Sequence, residues 1–229
     1  MMPHSSFELD RVEAERAEPS WSQLHRFRRA AAQRLGDIYS LPIAKRASDL
    51  LVQQANRGNL VLEIGAGDRR MKDKLTRHCG EVHYESVDPD PQGNHDYRDL
   101  SEVTGSYDLV FAFETAEHLP LEVLKPWLCT LFERTRPGGT LLLSTPNTYY
   151  PPAYLRDATH CTPLCYDELA GLCAAAGWHV TAVYRVHHEP LHRAFVRRYL
   201  FGWLFRLIGL DFARQIVLVA CRNRAASAA

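Results

Sequence analysis

The feature that most constrains this chain is the segment Val61-Leu62-Glu63-Ile64-Gly65-Ala66-Gly67-Asp68, where an apolar run breaks on a Gly-x-Gly turn and passes straight into a helical pattern. Glycines at such a turn remove side chains where backbone must come close to a ligand, and the helix that follows offers unbonded N–H groups. After Gly58 short apolar strands alternate with helical segments, the pattern of a parallel sheet flanked by helices. Strands are predicted at Leu60 to Ile64, His83 to Val87, His95 to Tyr97, Tyr107 to Phe113, Thr140 to Ser144, Trp178 to Val186 and Gln215 to Cys221. Helices are predicted near 69 to 78, 121 to 135 and 166 to 176, the last closed by Gly177, and Pro137-Gly138-Gly139 reads as a turn into the next strand.

Ahead of this unit, residues 1 to 19 mix acids and bases around Pro3 and Pro19 and read as a loose tail. From Trp21 a helical period sets in, with Leu24, Phe27, Ala31 and Leu35 on one face and Arg26, Arg28, Arg29 and Arg34 on the others. A second helix is expected from about Ile43 to Ala55. The organisation read from the chain is a tail over 1–19, helices over 20–57, one main domain over 58–222 and a C-terminal tail over 223–229. A chain of 229 residues can bury roughly 70% of its unfolded surface, so no disulfide or structural metal is needed.

Lys plus Arg is 27 and Asp plus Glu is 27, which argues against a nucleic-acid binder working through bulk positive charge. Cys79, Cys129, Cys161, Cys165, Cys173 and Cys221 are scattered, and the polar opening residues do not read as a secretory leader. Reduced thiols and a cytoplasmic location are therefore expected. The longest apolar stretch, Tyr199 to Leu210, is broken by Arg206 and is shorter than the roughly 20 residues that span a bilayer.

A Gly-x-Gly turn alone does not name its ligand. A dinucleotide fold calls for a third glycine where this chain has Arg70, which disfavours a nicotinamide cofactor. The next strand ends in Ser86-Val87-Asp88-Pro89, which sets a carboxylate at a strand tip beside the glycine turn, where it can take both hydroxyls of a ribose.

In order, LVLEIGAGD, SVDPD, HDYRDL, YDLVFAFETAEHLP, RPGGTLLLSTPN and a final apolar strand resemble the signature of the class I S-adenosylmethionine-dependent methyltransferases, over residues 58 to 222. The resemblance implies an α/β, Rossmann-like fold: a seven-stranded, mostly parallel sheet with helices on both faces and the last strand antiparallel, here with an N-terminal helical extension. It implies S-adenosylmethionine as cofactor. Glu63, Gly65, Ala66 and Gly67 would shape the pocket for the methionine half, Asp88 would hold the ribose, Asp96 and Tyr97 would border the adenine, and Phe113 and Glu114 would close the site. Arg69 stands where the family often carries another glycine, which puts the conformation of that loop in question. The chemistry is a direct displacement at a sulfonium methyl, so catalysis can come from positioning and from deprotonating the acceptor.

The fourth strand runs into Glu114-Thr115-Ala116-Glu117-His118-Leu119-Pro120. Read as one helical turn, it places Glu114, Glu117 and His118 on one face. Three roles suit that group: a paired structural turn, a general base at His118 whose basicity the carboxylates raise, or a metal site for Mg²⁺, Mn²⁺ or Zn²⁺. The E-x-x-E-H pattern resembles the metal-dependent ubiquinone-pathway O-methyltransferases and the small-RNA 3′-end 2′-O-methyltransferases. His160, in the loop after the fifth strand, is the natural fourth ligand or an alternative base, its plainer role being a loop histidine that caps backbone groups. Cys161 and Cys165 beside it lack zinc-knuckle spacing and read as free thiols.

The stretch His187 to Arg214 is longer than the hairpin the family needs there, and interleaves aromatics and leucines with Arg193, Arg197, Arg198 and Arg206. It reads as a substrate lid or a dimer face, or as a peripheral membrane contact through 191–210. The favoured function is O-methylation of a small or lipid-linked acceptor. The alternatives are a metal-assisted 2′-O-methyltransferase acting on an RNA end and a non-catalytic cofactor-binding module.

Overall fold

The computed structural model describes residues 21–188 and 190–223, so the tail read over 1–19 and nearly all of that over 223–229 lie outside the described residues. The strands β1 (Ile43–Ala44), β2 (Leu60–Ile64), β3 (His83–Val87), β4 (Tyr107–Phe113), β5 (Thr135–Pro146), β6 (His179–Val186) and β7 (Gln215–Cys221) form one sheet in the order β1-β6-β7-β5-β4-β2-β3. β7 is antiparallel to both its neighbours, and every other pairing is parallel. The helices are α1 (Trp21–Leu35), α2 (Ala47–Gln54), α3 (Arg70–Cys79), α4 (Leu121–Arg134), α5 (Pro151–Leu155), α6 (Tyr166–Ala175), α7 (Leu191–Phe195) and α8 (Gly202–Leu207).

The central strands are apolar throughout because both faces of the sheet are covered. Successive side chains alternate, so Val61, Leu109, Phe111 and Leu142 turn to α2 and α3, while Leu62, Val110, Leu141 and Leu143 turn to α4 and α6. α1 lies across α6 at Gly171, where a Cβ would stand 2.8 Å from the Arg28 backbone nitrogen. Arg28 secures the crossing, its Nε and Nη1 each 2.8 Å from Asp167 and Glu168 in the first turn of α6. Carboxylates are favoured at that helix end in any case. The arginine face of α1 is thus partly a tertiary contact and not only a solvated surface.

Four predicted elements differ. His95 to Tyr97 is not a strand: only one bridge, Val87 to Tyr97, forms, because Asp96 instead accepts from the Ser86 amide at 2.9 Å and its hydroxyl at 2.8 Å. The seventh strand is β1, cut from the start of the expected second helix, where Arg185 donates its amide to the Pro42 carbonyl at 2.8 Å. Pro137-Gly138-Gly139 lies within β5 as an irregular stretch with a register shift between Tyr107 and Leu109. Gly139 is needed there, since a Cβ would stand 2.9 Å from the Arg136 carbonyl oxygen and 3.0 Å from that of Asp108. Finally, Glu114 to His118 is not one α-turn: Glu114 has φ +51° and only Ala116–His118 is helical, as a 3₁₀ turn.

Candidate active site

The loops after β2, β3, β4 and β5 gather at the carboxyl edge of the parallel strands, where open α/β sheets bind their ligands. After β2 the chain reverses on Gly65 (φ +69°) and Gly67 (φ +47°). A side chain on Gly65 would collide with the Thr115 hydroxyl, which holds the start of the β4 loop against the end of β2. A Cβ on Gly67 would meet nothing within 4 Å, so the backbone there faces open space. Ala66 is buried between them. The Gly67 amide donates to Asp88 Oδ2 at 2.8 Å, and the Asp90 amide to Asp88 Oδ1 at 2.9 Å, so the carboxylate at the tip of β3 is fixed by two backbone groups and keeps further acceptor capacity.

Arg69 adopts the left-handed conformation (φ 56°) that a glycine would take, so the turn keeps its shape. Its guanidinium lies 5.5 Å over the Tyr84 ring, donates to the Asn94 carbonyl and reaches Asp96 Oδ2 at 3.3 Å, bracing the loop after β3. Tyr97 donates to Glu85 at 3.1 Å, a carboxylate that Tyr107 also holds. Glu63 is buried and accepts from the Tyr84 hydroxyl, and burial pushes its carboxyl up to about 7. Phe113, half-buried, closes β4 with its ring 5.2 Å from that of Phe111.

Beyond β4, Glu117 and His118 part company: Glu117 turns inward with no exposure and His118 outward. The Cys161 and Thr162 amides both donate to the Glu117 carbonyl, at 2.9 and 3.0 Å, which brings the loop after α5 onto the 3₁₀ turn. His160 consequently stands with Nε2 3.9 Å from Glu117 Oε1 and its ring 4.8 Å from that of His118. A carbonyl can only accept, so His160 Nδ1 donates to the Tyr154 oxygen at 2.8 Å, and neutral His160 presents its lone pair on Nε2. His118 Nδ1 lies 3.0 Å from the Thr159 hydroxyl.

Both carboxyl oxygens of Glu117 are buried without a hydrogen-bond partner, as is the Thr145 hydroxyl. Burial first, then the charge of Glu114, pushes the Glu117 carboxyl up to about 8. Ligand atoms of Glu117, His118 and His160 lie within 4.8 Å of one another. An orphaned buried carboxyl facing two imidazoles fits a divalent cation, with the Tyr154 carbonyl in the supporting position behind a histidine ligand.

Glu114 lies outside that group. Its Oε1 accepts from Gln215 at 2.7 Å and from Ser144 at 3.0 Å, and Gln215 in turn pairs with His188 at 2.9 Å. Loss of solvent around the carboxyl raises Glu114 above the usual range, against the hydrogen bonds from Gln215 and Ser144, which favour its ionised form. Gln215, His188, Tyr154 and Thr159 are not marked by any sequence motif. The signal for Gln215 is topological: an antiparallel strand begins at the edge where its parallel neighbours end.

Solved structures of similar fold include a SAM-dependent methyltransferase from Archaeoglobus fulgidus, at 16% identity and TM-score 0.58 over 76% of this chain and 94% of that one. An S-adenosylmethionine-dependent methyltransferase from Mesorhizobium loti matches at 13% identity and TM-score 0.56, over 77% of this chain and 96% of that one. Geranyl diphosphate methyltransferase, solved in complex with SAM, matches at 12% identity and TM-score 0.55, over 76% and 84% of the two chains. At these identities the likeness is one of fold. No curated protein matches the sequence. The methyltransferase domain signature, however, spans residues 25–183, well over half of the chain, and on that match the chain belongs to the methyltransferase domain family.

Proposed function

We propose that the protein transfers a methyl group from S-adenosylmethionine to an oxygen of a small or lipid-linked acceptor. The observation that carries this reading is His160, whose Nδ1 is committed to a carbonyl and whose Nε2 faces the buried Glu117. S-adenosylmethionine supplies an electrophilic methyl on a sulfonium that departs as a neutral thioether. The residues present suit it: Asp88 is placed for the ribose hydroxyls, the Gly65-Ala66-Gly67 backbone leaves room for the methionine half, and Asp96, steadied by Arg69 and Ser86, borders the adenine side. The acceptor hydroxyl forms its bond to the methyl carbon as the carbon–sulfur bond breaks, the electron pair stays on sulfur, and the hydroxyl proton passes to His160 Nε2. From 3.9 Å away, Glu117 in its ionised form stabilises the imidazolium that results.

A second reading is favoured by the two unpartnered oxygens of Glu117: a divalent cation held by Glu117, His118 and His160. Such an ion would lower the acceptor hydroxyl's pKa and neutralise the Glu117 carboxylate.

Calorimetric titration of S-adenosylmethionine and S-adenosylhomocysteine, with and without EDTA, tests the donor. A methylation assay over phenolic, lipid-linked and RNA-end acceptors tests the rest. Binding of both ligands with turnover on a hydroxylated small or lipid-linked acceptor is the expected result. Turnover only on the RNA end, or no binding, overturns it.

A further inference from the structure

The segment between β6 and β7 folds as α7, a π-helical turn (Val196–Leu200) and α8, and carries most of the exposed large apolar side chains among the described residues. The four most exposed aromatic and aliphatic positions within it fall at a spacing of four: Phe195 is 61% exposed, Tyr199 63%, Trp203 65% and Leu207 73%. The spacing repeats through α7, the π-helical turn and α8, and the Phe195 and Tyr199 rings lie 4.7 Å apart. The segment is fixed to the body. Tyr39 donates its hydroxyl to the carbonyls of Phe205, at 3.1 Å, and Leu210, at 2.9 Å, Phe205 packs 5.9 Å from the Phe212 ring, and Arg206 lies 5.4 Å over Tyr39. These contacts tie the α8 end of the segment to the body while Trp203 and Leu207 stay exposed.

Charge on this hairpin is one-sided. From Pro190 to Leu210 there is no acidic residue, while Arg193, Arg197, Arg198 and Arg206 lie among the apolar ones, in a chain whose total charge balances at zero. Arg193, Arg198 and Arg206 are exposed. A cavity of about 430 Å³ in this segment is lined by Val196, Leu204, Phe205 and Ile208 together with Arg193 and Arg197. None of the helices described is long and apolar enough to cross a membrane.

We propose that the hairpin 191–210 is a monotopic anchor that seats the protein on an anionic lipid bilayer. Phe195, Tyr199, Trp203 and Leu207 enter the headgroup boundary, and the arginines meet lipid phosphates. Aromatic rings and arginine stems suit that boundary because each has an apolar body and a polar end. A second copy of the chain fits less well, because pairing two such faces would bring arginines against arginines across segments that hold no acidic residue between Pro190 and Leu210. The inference does not rest on the acceptor proposed above.

Co-sedimentation of the full chain with vesicles tests it, using equal parts phosphatidylglycerol and phosphatidylcholine against phosphatidylcholine alone. The protein pellets with the anionic vesicles, and binding weakens on the order of tenfold on neutral vesicles or when Arg193→Gln and Arg198→Gln are combined. Trp203→Ser with Leu207→Ser weakens it comparably, and both double variants keep the wild-type melting temperature and affinity for S-adenosylmethionine. A wild-type protein that stays in the supernatant overturns the proposal. So does vesicle binding that neither double variant changes, or a lipid-free dimer that Trp203→Ser with Leu207→Ser dissociates.

Discussion

His160 Nε2 lies 3.9 Å from Glu117 Oε1, a separation too long for a direct hydrogen bond and suited to a cation or an acceptor group held between them. If this pair handles the acceptor's proton, His160→Ala and Glu117→Gln each lower kcat by about 10²- to 10⁴-fold. Affinity for S-adenosylmethionine stays near wild type, because neither residue belongs to the glycine loop. Loss of cofactor binding in either variant would show that the cluster is structural.

Asp88 does two things at once, holding the Gly67 amide and offering its remaining lone pairs to a ribose. Asp88→Ala is expected to weaken S-adenosylmethionine binding by about tenfold or more, the scale of lost hydrogen bonds to a charged group. Calorimetry on folded protein reads this directly, and an unchanged dissociation constant would remove Asp88 from the site.

Burial lifts the Glu63 carboxyl from its ordinary 4.5 to about 7 in the folded protein. The folded state thus prefers the neutral acid, so its stability is highest below the unfolded value, declines as pH rises from about 4.5, and levels off above about 7. Glu63→Gln removes that cost, on the order of 3 kcal/mol at most. Denaturant melts should show the variant gaining on wild type between pH 5 and pH 8. A difference that does not change with pH would mean that the carboxyl ionises freely in the fold.

Gly171 admits α1 at a distance that leaves no room for a methyl group. Gly171→Ala is expected to cost about 1–3 kcal/mol of stability, as overpacking does. Thermal denaturation would measure it, with Arg28→Ala, which loses two partly exposed ion pairs, expected to cost less.

Arg185 Nη1 and Asp211 Oδ1 are 2.9 Å apart and both residues are buried, joining β6 to the point where the 191–210 hairpin re-enters the body. Asp211 also accepts from Asn147 Nδ2 at 3.0 Å, after β5. Asp211→Ala strands a buried guanidinium and is expected to cost about 3–5 kcal/mol. An equilibrium unfolding curve close to wild type would show that solvent reaches Arg185.

Periodicity alone marked the strands that form the middle of the sheet, because a segment buried on both faces must be apolar along its length, as Val61 to Ile64 and Leu141 to Leu143 are. The glycine turn and Asp88 were equally legible, since both depend on residue types adjacent in the chain. β1 was not, because two residues acquire strand character only from their partner β6, and their local pattern fits a helix start as well. Arg69 could be named but not interpreted: its left-handed backbone is held by Tyr84, Asn94 and Asp96, which lie elsewhere in sequence. The sequence also offered Glu114, Glu117 and His118 as one face, on the assumption of α-helical geometry. Tertiary structure separated them, sending Glu114 to Gln215 and Ser144 and burying Glu117 against His160, because the loop after α5 bonds to the Glu117 carbonyl. Local sequence thus determined the frame and the chemical types available at its edge, whereas which of those groups meet was decided by long-range backbone hydrogen bonds that no local pattern encodes.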